Sequence, residues 1–532
     1  MKKQALLAGL FFMVCACTQA QESVFQLFRK EVLLADDYYI DKKYRSAFQV
    51  YARLYRNDSS STELPMKMAR CAYHLKEYRN AAMLFKKCAS KNRTADDSFY
   101  FGESLAFGGH TNEAIAAYDE CRRKQPNRPL IAQKIWQLRN IQFLYEDSLH
   151  YAVRVLPLNT ASGEFSPVPF DDGIIFISNR KERKMVEKID ASINTPFYQP
   201  YFSKPLPNVD KNGLIRYKEP VAFNKDFYSG FHAGPISFYD RQRKMVFASA
   251  GEKSGSEGKH ILQLFFAAEE KGKWKITAAF PYNSLLYSLT DPSINEEGTL
   301  LYFSSNMKEG KGGKDIYRSF FNNGEWSKPE NLGESINTPY DEAFPFLHQD
   351  KTLYFSSNGH AGMGGLDIFK SELAEKGFGE VLNVGYPINS NADEFGITID
   401  SLNSHGYFSS NRRHGGYDDD LYEVDIDLQT YPLEIAGWMG LKEHNWTDST
   451  KIETFAHARF SLIDNLREVV VQEGTSDEEG NFTWIIPYFS KYRMRVVGPD
   501  KEEHTIIVEI PKQKQLHGKH EIVIVKDLFR LN

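Results

Sequence analysis

Aspartates recur just after glycine-rich turns at Asp315, Asp367 and Asp419, and serines recur in Phe-Ser-Ser-Asn at Ser304, Ser356 and Ser409. Carboxylates gathered into one oxygen-rich cluster would bind calcium, and a serine on a sharp strand-to-helix turn beside a histidine and an acid would be a nucleophile. The spacing argues against both. The aspartates fall one per repeat, where such a residue caps a turn through its backbone neighbours. The serines sit in strand-like runs without a Gly-x-Ser-x-Gly elbow. His232, His260, His348, His360 and His414 occupy unlike positions in the repeats, which gives no metal ring. Cys71, Cys88 and Cys121 form no Cys-x-x-Cys pair and read as small residues packed between helices, with one disulfide among them compatible with an oxidising compartment. No catalytic, cofactor-binding or metal-binding residue is assigned, and the chain is expected not to be an enzyme.

The serines are 52 and 53 residues apart, and each belongs to a longer repeated sentence. Leu300–Ser319, Leu353–Phe369 and Gly406–Tyr422 each place an aromatic-rich strand, a Gly-rich turn and a second strand, the composition of a hairpin. Weaker copies occur at Ile174–Asn179 and Met245–Ser249. Each hairpin is preceded by a strand entered through Pro167, Pro235, Pro292, Pro345 or Gly396, and the last three by acids: Asp291, Asp341-Glu342 and Asp393-Glu394. Units of about fifty residues built from short strands predict a β-propeller, here five blades of four strands within about 160–430. The strand Tyr151–Leu158 is expected to complete the last blade and close the ring.

Ahead of this region, 22–149 lacks strand-like alternation and carries a helical repeat. Tyr44, Ala47 and Tyr51 recur as Tyr78, Ala81 and Phe85, 34 residues on, and again as Ala114 and Tyr118. Ala35, Ala69 and Gly102 supply small residues on the first helix of each unit, and Pro126 closes the third. This is the tetratricopeptide pattern: three helix-turn-helix repeats (24–57, 58–91, 92–126) and a capping helix from Pro129 to about Ser148, stacked so that a concave surface faces a partner. After the propeller, 431–532 offers seven short strands (Leu433–Trp438, Ala458–Ile463, Glu468–Gln472, Asn481–Ile486, Tyr492–Val497, Thr505–Ile510 and His520–Val525), a small β-sandwich. The fold class is therefore multidomain, α then all-β: a tetratricopeptide solenoid (22–149), a five-bladed β-propeller (150–430) and a β-sandwich (431–532).

Composition sets outer limits. With 532 residues, 42% hydrophobic, 25% charged and a net charge of −5, the chain is globular and lacks the basic footprint of a general nucleic-acid binder. Residues 1–21 read as a targeting signal: Lys2 and Lys3 precede the apolar run Ala5–Val14, too short to span a bilayer. Val14-Cys15-Ala16-Cys17 resembles the lipobox of bacterial lipoproteins, which would make Cys17 the acylated N-terminus. Ordinary cleavage after Ala20 is the other reading of Thr18-Gln19-Ala20.

Phe-Ser-Ser-Asn, Gly-x-Gly-Gly-x-Asp-Ile-Tyr and Trp-x-x-Pro-x-Asn-Leu-Gly…Ile-Asn-Thr-Pro-x-Asp-Glu resemble the WD40-like repeats of TolB-type propellers, close to the variant of Bacteroidota cell envelopes. The match is strongest over 290–425 and weaker over 160–290, where a charged insertion, Arg180–Lys188 and Asp190–Thr195, replaces the glycine-rich turn. Thr475–Val497 resembles a carboxypeptidase regulatory-like domain, which holds no catalytic residue. The order of modules is similar to that of periplasmic proteins of the OmpA family in type IX secretion and gliding, which add an OmpA-like peptidoglycan-binding domain. This sequence ends at Asn532 after the sandwich, so the resemblance does not extend to direct cell-wall binding, and Cys17 is the expected anchor. The resemblance implies a non-enzymatic scaffold docking envelope proteins on the periplasmic side of the outer membrane, lipid-anchored or else soluble in the periplasm. The alternative is a periplasmic or surface propeller that binds a glycan or peptide, favoured if Tyr198, Tyr201 and Phe202 cluster on one exposed face.

Overall fold

The computed structural model describes residues 30–181, 189–190, 195–209, 215–224, 232–254, 260–375, 377–413, 418–427, 432–443, 452–465, 468–488, 490–498, 501, 503–508 and 520–526. Cys17 and most of the insertion Arg180–Thr195 lie outside the described residues, as does His414.

Among the described residues seven α-helices come first: α1 (30–40), α2 (Tyr44–Asn57), α3 (Leu64–His74), α4 (Tyr78–Lys86), α5 (Ala95–Phe107), α6 (Thr111–Lys124) and α7 (Pro129–Arg139). Consecutive helices pack on one another and share one core. The repeated small residues explain the close packing. Ala35, Ala47, Ala69, Ala81 and Ala114 are fully buried, and a Cβ on Gly102 would lie 2.6 Å from the Tyr118 ring. Tyr51 and Tyr118 each donate their hydroxyl to the acid that follows the small residue of the paired helix, Asp36 and Glu103. In the middle pair the aromatic is Phe85 and has no hydroxyl. The residue after Ala69 is Arg70, which instead forks onto the buried Asp97 of the next pair at 2.6 and 2.8 Å. Helix α7 ends at Arg139, short of the expected Ser148, and the chain continues in 3-10 turns over Ile141–Tyr145 and Ser148–His150. Cys71, Cys88 and Cys121 are buried and free, and burial pushes the Cys71 thiol up to about 12.

Among the described residues, besides two short two-stranded ribbons, five antiparallel sheets of four or five strands follow. Their first strands are Glu164–Phe170, Ala233–Tyr239, Leu289–Ile294, Glu342–His348 and Glu394–Ile399. These strands contact each other in cyclic order, the first lying against both the second and the fifth. The outer strand of the fifth sheet comes from the start of the region: Tyr151–Val155 pairs antiparallel with Asp420–Ile426. Each first strand carries a register shift, at Phe165/Val168, Ala233/Ile236, Thr290/Ser293, Ala343/Phe346 and Phe395/Thr398. Pro167, Pro235, Pro292, Pro345 and Gly396 thus lie inside the strands, at bulges, and do not mark strand entry. Proline suits a bulge because it has no N–H to give to the ladder. Ser166, Asp291 and Phe344, each just before its proline, adopt φ of 52°, 54° and 51°, a costly conformation for side-chain-bearing residues.

Two further sheets close the chain. One joins Ile452–Thr454, Leu433–Glu443 and Asn481–Ile486, with His520–Lys526 parallel to Leu433–Glu443. The other joins Val469–Thr475, Arg459–Asp464, Tyr492–Val497 and Glu503–Val508. Met439, Trp484, Leu462 and Met494 bury their side chains in one core between them. The described strands number eight where seven were expected; Ile452–Thr454 was not anticipated.

Candidate functional site

The repeated acids and serines are held by a hydrogen-bond scheme that recurs from sheet to sheet. A buried glutamate opens the first strand of three sheets: Glu164, Glu342 and Glu394, all fully buried. Each accepts the backbone N–H and the hydroxyl of a residue four positions earlier, Thr160, Thr338 or Ser390, at 2.7–2.9 Å. Each also accepts the hydroxyl of the second-strand serine, Ser178, Ser357 or Ser410. The asparagine after that serine returns a bond: Asn179, Asn358 and Asn411 accept from the N–H of Gly163, Asp341 and Asp393 at 2.9 Å. Arg180 and Arg412 place guanidinium groups 3.3 and 3.1 Å from Glu164 and Glu394. The fourth sheet has Gly359 there, whose Cβ position is only 1.9 Å from the Thr338 hydroxyl, so no arginine fits. Burial then pushes Glu342 up to about 7, against the hydrogen bonds from Ser357 and Thr338.

The glycine-rich turns are held the same way. Asp315 accepts from the N–H of Lys311 and Gly312, and Asp367 from Met363 and Gly364. Register corrects the third member of the set. Asp315 faces Ser305, Asp367 faces Ser357, and Ser410 is faced by Asp420, so the equivalent residue is Asp420 and not Asp419. The glycines are needed for approach: a Cβ on Gly312 or Gly364 would stand 1.9 Å from the carbonyl oxygen of Tyr340 or Ala392 in the following loop. Among the described residues no group of three or more His, Cys, Asp or Glu could hold a metal ion.

Several residues of these loops reach outside the ring of sheets. Asp393 receives the N–H of Leu366 and the amide of Asn411, and its Oδ2 lies 2.6 Å from Lys76 Nζ at the turn between α3 and α4. The Gly364 carbonyl accepts from Lys134 of α7 at 3.0 Å. Arg128 donates to the Tyr340 hydroxyl at 3.2 Å, Tyr386 N–H to the Leu144 carbonyl at 2.7 Å, and the Tyr145 and Tyr386 rings stack at 4.6 Å. The helical unit is thus seated on the glycine-turn face of the fourth and fifth sheets. Sequence reasoning did not find this contact, because Lys76 and Asp393 are 317 residues apart. At the other end of the ring Lys491 of the last two sheets meets Asp425 at 2.9 Å; burial would raise that carboxyl, but His405, Lys491 and Arg154 hold it down at about 2.

Two surfaces remain for ligands. A row of half-buried aromatic side chains crosses the first helices of the three pairs: Tyr39, Tyr73 with His74, and Tyr100. Tyr44 stacks on His74 at 4.5 Å, and Tyr73 on Tyr100 at 4.2 Å. The Tyr39 hydroxyl is 3.0 Å from His74 Nε2, and burial pushes that histidine down to about 4, so the row is uncharged at neutral pH. The second surface is a cavity of about 610 Å³ framed by all five first strands. Tyr198, Tyr201 and Phe202, whose clustering on one exposed face would favour a ligand-binding propeller, do not form such a face. Tyr201 is buried in the core with Phe176, Phe202 packs edge-on to Phe170, and Tyr198 lies against Gly163.

No helix among the described residues is long and apolar enough to cross a membrane. No family model matches the chain, and no curated protein matches it. Among solved structures the chain is similar to the C-terminal part of a tetratricopeptide-repeat protein from Cytophaga hutchinsonii, at 20% identity over 21% of this chain and 49% of that one, with a TM-score of 0.19. It is also similar to a GH43 β-xylosidase/α-arabinofuranosidase from a compost metagenome (11% identity, 56% and 96% coverage, TM-score 0.33). A protein of unknown function from Dyadobacter fermentans is similar at 10% identity, with 52% and 100% coverage and a TM-score of 0.31. The chain spans about half the length of the first of these, and at these scores none assigns a fold or an activity to it.

Proposed function

We propose that this chain is a non-enzymatic scaffold of the bacterial cell envelope, a tetratricopeptide solenoid fixed to a five-bladed β-propeller and followed by a regulatory-like β-sandwich. The observation that carries this reading is how the repeated polar residues are used. The glutamates, serines and asparagines that a catalytic reading would recruit brace the strands and entry loop of their own sheet, while Asp393 ties the glycine turn of the fourth sheet to the fifth and holds the helical unit as well. Fixing the two units together keeps the aromatic row of the first helices and the open end of the ring at constant separation. Partners docked on both then meet at a high effective concentration without new contacts between them. The signal-like start and Cys17 support a tether at the outer membrane facing the periplasm, and the repeat resemblance supports service to type IX secretion or gliding.

The test is crosslinking in the native envelope followed by affinity purification, on the wild type and Cys17→Ala side by side. Recovery of outer-membrane secretion or gliding components, reduced in Cys17→Ala, is the expected result. Retention on polysaccharide with no protein recovered would replace the scaffold with a glycan-binding protein.

A further inference from the structure

The cavity inside the ring has a direction. The first strand Glu394–Ile399 begins beside Asp393, which holds Lys76 of the helical unit, and ends at Asp400, which lines the cavity. Gln242 and Glu296 line it too, each just beyond the end of a first strand. The mouth therefore lies on the face opposite the helices, about 20 Å away at the rise of a strand. Deeper in, the bulges bring Phe344 into the lining, and its ring packs on Phe395 at 4.7 Å, with Phe165 beyond at 6.2 Å.

Ile236, Phe238, Ile294 and Ile397 share the lining with Ser237, Ser293 and Thr398, and every charged residue in it is an acid: Asp291, Glu296 and Asp400. Two of these acids are engaged locally. Glu296 accepts the N–H of Arg241, and Asp400 accepts Ser404 and His405. Asp291 differs. It is only 4% exposed, its Oδ1 takes the Thr290 hydroxyl at 2.9 Å, and its Oδ2 is buried with no hydrogen bond. Lys314 Nζ forms a loose ion pair with it at 3.9 Å, beyond hydrogen-bond reach. The backbone reinforces the placement, since Asp291 sits at a bulge with φ of 54°. A buried carboxylate oxygen without a donor is costly, and a charge-assisted bond from an ammonium group would satisfy it.

We propose that this cavity binds a small organic cation, an ammonium group on an apolar stem. The charge is placed beside the Asp291 carboxyl, and Phe344, whose π-face attracts cations, lines the same cavity. The stem lies along Ile236, Ile294 and Ile397 toward the mouth, where burying it removes apolar surface from water. The acids at the mouth favour entry of a cation and oppose an anion of the same shape. This site is independent of the scaffold reading, since it uses neither the helical row nor a tether.

The test uses the full chain and two probes of matched shape, pentan-1-amine and pentanoate, with binding read by titration calorimetry and ligand-observed NMR. Saturable binding of the amine and none of pentanoate is expected. Asp291→Asn should weaken the amine at least tenfold, and Lys314→Ala should strengthen it by removing a competing ammonium. Val168→Trp, which fills space in the lining while leaving Asp291 intact, should also block binding and guards against a folding defect in Asp291→Asn. Equal binding of pentanoate, affinity unchanged in both Asp291→Asn and Val168→Trp, or no saturable binding of the amine at millimolar concentration would each overturn the proposal.

Discussion

The side-chain amide of Asn159 exchanges two hydrogen bonds with the backbone of Leu421, accepting its N–H at 2.7 Å and donating to its carbonyl at 3.0 Å. Asn337 does the same to Ile316 and Asn389 to Ile368. In those two sheets the asparagine lies in the loop leading onward to the next sheet. Asn159 makes the same rung from the start of the region, 262 residues before its partner. The last sheet is therefore finished, and joined to the first, by the segment that precedes it.

Replacing Asn159 by alanine leaves both backbone groups of Leu421 without that partner. The expected loss is about 2–3 kcal/mol in urea unfolding, similar to Asn389→Ala. Amide exchange in Tyr151–Val155 should quicken in Asn159→Ala and not in Asn389→Ala. Equal exchange in both variants would mean that the rung does not secure the seam.

Glu342 makes stability depend on pH in a predictable direction. Its folded pKa of about 7 lies above its ordinary value of 4.5, so the folded state holds the proton more tightly than the unfolded chain. That contribution is complete below about pH 4.5 and is lost as pH rises through 7, by about 3 kcal/mol in total. Glu342→Gln cannot titrate and should lack this slope, whatever its absolute stability. Denaturant midpoints measured from pH 4.5 to 8 on both proteins decide it.

Gly364 and Gly324 should respond differently to alanine. A Cβ at Gly364 meets the Ala392 carbonyl at 1.9 Å and forces the turn away from the next loop, whereas Gly324 has φ of +85° and open space around it. Gly324→Ala should cost about 1 kcal/mol of backbone strain. Gly364→Ala should cost several times more and loosen the helical unit, because the Gly364 carbonyl also holds Lys134. Thermal unfolding of the two variants, with proteolysis at the 140–150 linker, separates these outcomes.

The pair Lys76–Asp393 should be coupled. Asp393 is buried but the lysine side chain is 45% exposed, so a double-mutant cycle of Lys76→Met and Asp393→Asn should give only about 1 kcal/mol. Lys76→Met alone should cost less than Asp393→Asn, since Asp393 also holds Leu366 and Asn411 within the ring. A coupling near zero would mean that the remaining contacts, at Lys134, Arg128 and Tyr386, seat the helices by themselves.

Local rules made much of the architecture legible. Alanine and aromatic residues at a period of 34 disclose stacked helix pairs, because a helix crossing needs a small residue wherever it occurs. Phe-Ser-Ser-Asn ahead of a glycine turn discloses a hairpin for a comparable reason: strand chemistry and left-handed turns are properties of neighbouring residues. The errors were also local. One extra acid in Asp418-Asp419-Asp420 shifts the apparent register by a residue, and the helix expected over Pro129–Ser148 breaks at Arg139. The tertiary structure alone decided what the polar residues are for. Asp393 becomes a clasp for Lys76, and Asp291 keeps an oxygen without a hydrogen bond at a cavity. Each of these follows from which loops meet across the ring, and that depends on contacts between residues far apart in the chain, which spacing along the sequence does not encode.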